Sequence, residues 1–190
     1  MRRALAILLL LSGTARADFK EWNLTLTPAY GVIYVDGRTA HGGGAAVDVS
    51  FGVSDTIAVH ARGLATWHDV GSVDTPMPMQ GGTLSAFAAM AGVTYTLDVI
   101  RLVPSFDLSI GALGVYGGAA FGDSPAVLRP IVAFGVALGF AIDYLWTRHF
   151  ALGAEVKYQA ALAPGVFTGD SRIGMYLYAG PRVTFRFGVK

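Results

Sequence analysis

The chain contains no cysteine, which excludes a disulfide scaffold, a thiol nucleophile and any Cys-based metal site. Charge is scarce too: only 14% of residues are Asp, Glu, Lys or Arg, where about 25% is usual in a soluble domain. No charge-free stretch is rich enough in Leu and Ile to read cleanly as a spanning helix. Thr75 to Leu97 nevertheless carries no charge, so a helical inner-membrane protein stands as the rival fold. A basic surplus is missing as well, and with it the footprint of a nucleic-acid binder.

What is present is apolar and small. Hydrophobic residues make up 53% of the chain, mean hydropathy is +0.51, and there are 25 glycines, poor material for helices. At the N-terminus, Arg2 and Arg3 precede an apolar run from Ala4 to Leu11 and a small-x-small site at Ala15-Arg16-Ala17. This order predicts a signal peptide over residues 1–17 and a mature domain over 18–190. The apolar run is far too short for a spanning anchor. Removing it leaves 11 basic and 13 acidic side chains in one domain.

The segment Ile131 to Ile142 is the most informative. Val132, Phe134, Val136, Leu138, Phe140 and Ile142 alternate with Ala133, Gly135, Ala137, Gly139 and Ala141, a period of two and not 3.6. Gly135 and Gly139 match the helix-dimer motif GxxxG, but small residues at every second position produce that spacing automatically. Seven further segments alternate in the same way: Trp22 to Tyr34, Ala45 to Val53, Ile57 to Trp67, Thr83 to Leu97, Phe106 to Tyr116, Phe150 to Leu162 and Ile173 to Val189. Eight strands result.

With each register set by bulky apolar residues, no ionisable residue falls on the apolar parity. The other parity collects Asp48, His60, Arg62, Asp107, Glu155, Lys157, Arg172, Arg182 and Arg186, among Gly, Ala, Ser and Thr. A soluble lipocalin-like barrel would need two faces of similar bulk. Large apolar residues opposed to tiny or polar ones instead suit a narrow all-β barrel with lipid outside. The links near Ser54 to Thr56, Asp98 to Ser105 and Asp143 to His149 are compact, whereas Val35 to Gly44, His68 to Gly82, Gly117 to Ile131 and Ala163 to Arg172 are mostly longer. Short turns at one end and long loops at the other are expected of an even, antiparallel up-and-down barrel. Aromatic residues bracket the strands, with Trp22, Phe51, Tyr95, Phe106, Trp146, Phe150, Phe185 and Phe187 at one end and Tyr34, Trp67 and Tyr116 at the other.

The last strand, Val183-Thr184-Phe185-Arg186-Phe187, alternates up to an aromatic residue, with Gly188, Val189 and Lys190 following it. In this, and in its order of strands and links, the chain resembles the small eight-stranded outer-membrane barrels of the OmpA and OmpX type. The resemblance covers residues 18–190 and is one of pattern. It implies a bacterial outer-membrane location, outer-membrane lipids and lipopolysaccharide as surroundings, and a barrel-assembly machinery as partner during insertion of a monomer. A barrel domain alone is expected over these residues, without the peptidoglycan-binding domain that the larger OmpA-type proteins append.

The candidate site is the lumen, where His60, Arg62, Asp107, Glu155, Lys157, Arg172, Arg182 and Arg186 would form a polar network. Mutual pairing is expected, because lone charges there would be costly. Pro28 and Pro181 lie inside the first and last strands, which meet at the closure seam, so a bulge or gap is expected there. None of His41, His60, His68 and His149 stands two residues before a serine, the arrangement of lipid A deacylase barrels. His68, Asp69, Asp74, Met77 and Met79 share one predicted loop, where thioethers could hold a soft metal, but a solvated loop is the simpler account. The Asn23-Leu24-Thr25 sequon lies in a strand and says nothing. The expectation is therefore a non-enzymatic barrel without cofactor, with a structural or surface-interaction role through its loops. The alternative is a narrow channel or transporter for ions or small apolar molecules, and a lipid A-modifying enzyme comes third.

Overall fold

The computed structural model describes residues 20–35, 38–70, 80–97, 101–120, 127–162 and 175–188. They form eight strands: β1 (Glu21–Val35), β2 (Arg38–Gly52), β3 (Ile57–Val70), β4 (Gln80–Thr96), β5 (Leu102–Ala120), β6 (Val127–Thr147), β7 (Phe150–Ala161) and β8 (Met175–Gly188). Each pairs antiparallel with its chain neighbour, and β1 pairs with β8 to close a barrel. The rival helical reading is thereby removed: most of Thr75 to Leu97 is β4. Among the described residues no helix is long and apolar enough to cross a membrane. The end where β1 begins and β8 finishes is called the terminal end below, and the opposite end the loop end.

Several strands run further than alternation alone marks them. β2 begins at Arg38 and not at Ala45, so the expected long link from Val35 to Gly44 is wrong: only residues 36 and 37 separate β1 from β2. Gly42, Gly43 and Gly44 read as loop material, yet a Cβ at Gly42 or Gly44 would collide with the β3 backbone at Trp67 and Ala65. Here glycine serves close strand approach and not turning. The remaining loop-end links span residues 71–79, 121–126 and 162–174, and the terminal-end links 53–56, 97–101 and 148–149. At the first of these, the Ser54 hydroxyl accepts hydrogen bonds from the Thr56 and Ile57 amides at 3.3 and 3.1 Å, which fixes a tight turn.

The longer strands also amend the charge rule. His41 and Asp69 both point outward near the loop end, where they lie opposite each other in the β2–β3 ladder. Elsewhere the outward face is bulky and apolar, with Leu108, Ile110, Val132, Phe134 and Leu138 each more than half exposed. Burial of apolar surface is reversed relative to a soluble domain. The inward face holds the buried residues, including Ile33, Leu64, Leu84, Met90, Leu113 and Val115. Inward positions are therefore not uniformly small, as the alternation suggested.

At the seam, Leu26 pairs with Val183 and Tyr30 with Ala179, but the three intervening positions on each strand drop out of the ladder with no change of register. Pro28 and Pro181 thus face each other across a gap and not a bulge. Their pairings on the other side, Pro28 with Ala45 and Pro181 with Ala154, are unbroken. In a strand, the N and C=O of one residue point to the same neighbour. Loss of bonds at the seam alone places both prolines with these groups aimed at each other, and neither has an N–H to give.

Candidate functional site: a polar floor beneath an apolar lid

Strand alternation and register bring the inward charges together. Arg62 on β3 lies at the centre, packed to 7% exposure. Its Nη1 and Nη2 donate to the two carboxylate oxygens of Glu155 on β7 at 2.7 and 3.0 Å, and its Nε donates to Asp48 Oδ2 at 3.0 Å. The same Nη1 contacts the Tyr178 hydroxyl. The planar guanidinium fork matches the carboxylate in a bidentate pair, which an ammonium could not do. Arg182 Nη1 reaches Glu155 Oε2 at 3.4 Å, while its Nε lies 3.1 Å from Asp143 Oδ1, close enough for an ion pair though not aligned as a hydrogen bond. Lys157 pairs with Asp107, and Arg186 Nε lies 3.7 Å from Glu21 Oε2 at the terminal rim.

Seven of the eight residues expected in the lumen thus face inward. Arg62, Glu155 and Arg182 form one connected cluster, and Lys157 with Asp107 a separate pair beside it. His60 stands apart and meets Thr94, with Nδ1 2.9 Å from its hydroxyl. Arg172 lies outside the described residues. Four members escaped the sequence reading, among them Glu21, which precedes the first alternating segment. Asp143 sits two residues beyond Ala141 on the inward parity of β6, but was placed in a link. Tyr176 and Tyr178 also point inward, on the same parity as Arg182 and Arg186, but carry no charge to mark them as members of the network.

These polar groups occupy the half of the lumen nearer the termini. A cavity of about 60 Å³ lies there, lined by Thr25, Asp48, Asp107, Lys157, Arg182 and Arg186 among others, room for a few waters. Towards the loop end the lumen becomes an apolar plug of Ile33, Leu64, Leu84, Met90, Leu113 and Val115. Polar groups within the plug are few. Tyr176 donates to Thr66 Oγ1 at 3.0 Å, and Thr66 Oγ1 lies 2.9 Å from His68 Nε2. Gln159 is 1% exposed, and neither of its amide atoms has a partner. It borders a void of about 10 Å³ with Ile33, Leu64, Leu113, Val115 and Tyr176.

His68 and Asp69, expected to share a loop, belong to β3 and point to opposite sides of the wall, which divides the proposed metal set; Asp74, Met77 and Met79 lie outside the described residues. Among the described residues no group of three metal-binding side chains converges. His41 Nδ1 lies 2.8 Å from the Tyr30 hydroxyl on the outward face, with no serine beside it in the chain.

A closed, eight-stranded, up-and-down antiparallel wall with paired charges inside and bulky apolar residues outside is the architecture of the small outer-membrane barrels. Comparison with solved structures agrees on the fold. Ail, the attachment invasion locus protein of Yersinia pestis, matches with a TM-score of 0.60 and 12% identity over 89% of this chain and 99% of its own. Neisserial surface protein A gives a TM-score of 0.64 and 11% identity over 87% and 97%. OprG of Pseudomonas aeruginosa gives 0.60 and 12% over 92% and 99%. No protein-family model matches the sequence, and no curated protein matches it either.

Proposed function

We propose that this chain is a monomeric protein of the bacterial outer membrane, exported with a signal peptide over residues 1–17, whose wall anchors it in the bilayer and whose loop end meets lipopolysaccharide, ligands or partners. The observation that carries the reading is the inverted distribution of side chains. Exposed Val132, Phe134 and Leu138 stand on the outer surface, and bonded Arg62, Glu155 and Arg182 inside it. Only a surrounding apolar solvent makes that arrangement favourable. The residues His60, Arg62, Asp107, Glu155, Lys157, Arg182 and Arg186 are read as structural, since the acids and the Arg and Lys side chains meet opposite charges and His60 meets Thr94. The fold neighbours fit a surface role: Ail is named for attachment and invasion and was also solved with the heparin analogue sucrose octasulfate, and NspA is named as a surface protein.

Because the chain has no cysteine, single-cysteine mapping tests this directly. On intact Gram-negative cells a membrane-impermeant maleimide is expected to label Thr168→Cys and to spare Asp55→Cys until the cells are opened. The reverse pattern, or recovery of the protein outside the outer-membrane fraction, would remove the proposal.

A further inference from the structure

The eight ladders contain four irregularities among the described residues. Three lie near strand ends, at Gln80/Thr83, Val115/Gly117 and Leu145/Thr147, and each shifts the register by a bulge. The fourth, at Pro28 and Pro181, lies in the middle of both strands and shifts nothing. A bulge bends a strand while keeping most of its bonds. The seam gap only removes bonds, and it leaves two carbonyl oxygens without ladder donors at mid-depth, where each such group is expensive.

The seam is nevertheless shut. The Pro28 carbonyl oxygen rests so close to Gly180 that a Cβ there would collide with it, leaving a weak Cα–H contact in place of N–H bonds. Both prolines are outward and exposed. Just inside them lie Ala29 and Tyr178, at the edge of the apolar plug. Beneath runs the Arg62–Glu155 floor, which bars apolar matter from the terminal half. Within the plug, the unpartnered amide of Gln159 offers its two N–H donors and its carbonyl oxygen to a polar head.

We propose that the β1–β8 seam is a lateral gate at Pro28 and Pro181, through which a single-chain amphiphile passes between the bilayer and the apolar loop-end half of the lumen, with its polar head held at Gln159. The gate opens by parting the two strands over residues 27–29 and 180–182, where they lack the ladder pairing that joins them above and below. The void at Gln159 is only about 10 Å³, so the chain enters by displacing plug side chains and the resting structure is the closed state.

The experiment uses the full mature chain refolded in phosphatidylcholine vesicles containing a fatty acid with a diazirine at its chain end. After irradiation, mass spectrometry locates adducts on plug residues Ile33, Leu64 and Leu113 and on outward Leu138 and Phe140 of β6 as reference. The wild type is expected to carry plug adducts. The double variant Pro28→Val/Pro181→Val restores two N–H donors and should cut the plug-to-reference ratio about tenfold, the change that about 1.4 kcal/mol of added closure gives. Gln159→Leu should reduce it as well while leaving the reference adducts unchanged. Absence of plug adducts in the wild type would overturn the gate, and so would an unchanged ratio in the double valine variant with heat-modifiable gel mobility intact. Gly180→Ala, which forces the strands apart, should raise the ratio; the valine comparison decides the question even where that variant fails to fold.

Discussion

Arg62 shows how much one residue holds. It satisfies Glu155 twice, Asp48 once and the Tyr178 hydroxyl once, so its removal leaves two carboxylates facing a low-dielectric lumen. Breaking a buried pair by deleting one partner costs about 3–5 kcal/mol, and Arg62→Ala is expected to lose that much in urea unfolding from detergent micelles. Tyr178→Phe removes a single bond to a charged group and should cost about 1.5–3 kcal/mol. A loss for Arg62→Ala no larger than for Tyr178→Phe would show that the cluster is not centred on the guanidinium. The charged members were legible because charge and parity are independent signals that agreed at Asp48, Arg62, Glu155 and Lys157. Tyr176 and Tyr178 share the inward parity of Arg182 and Arg186 but carry no charge, so nothing in the pattern marked their hydroxyls as part of the network. What no pattern could supply was the partner of each charge, which depends on register across strands far apart in sequence, as with Arg62 and Glu155.

Strand existence was readable throughout, but strand ends were not, and glycine is the reason. In Gly42-Gly43-Gly44 the residue type that marks turns was needed because β3 presses its backbone against β2. Alternation also ended early at Trp67, because Asp69 broke the apolar parity although β3 continues to Val70. Two substitutions separate glycine for closeness from glycine by tolerance. Gly44→Ala places its Cβ against the Ala65 carbonyl oxygen and the Thr66 Cα, so overpacking of about 1–3 kcal/mol is expected. Gly63→Ala meets nothing within 4 Å and should be neutral or stabilising by up to about 1 kcal/mol through lost chain entropy. Comparing the urea midpoints of the two variants with that of the wild type checks both, and equal losses would refute the distinction. The prolines at the seam openly broke a local rule, and the gap between Leu26/Val183 and Tyr30/Ala179 lies where they predicted it.

At the scale of the whole molecule, the question is whether a barrel with this lumen conducts. Two different barriers lie in series along its axis. The floor is electrostatic, with each cation held against a carboxylate, as in Arg62–Glu155, Arg182–Asp143 and Lys157–Asp107. The lid is steric and apolar, with Ile33 at 2%, Leu84 at 4% and Leu113 at 6% exposure. An ion that disrupts the floor still meets a plug with no water to carry its shell, and desolvation there is prohibitive. The cavity of about 60 Å³ belongs to the terminal half alone and is a vestibule and not a pore. Planar-bilayer recordings of the refolded wild type should therefore show no stable conductance steps, and Arg186→Ala at the vestibule rim should not create them. Cutting the lid alone, with Ile33→Ala/Tyr176→Ala, should leave the bilayer silent because the floor stands. Steps should arise only when that change is combined with Arg62→Ala/Glu155→Ala. Reproducible steps in the wild type that change with Arg186→Ala would show that ions pass both layers, and would return the lumen from a packed core to a path.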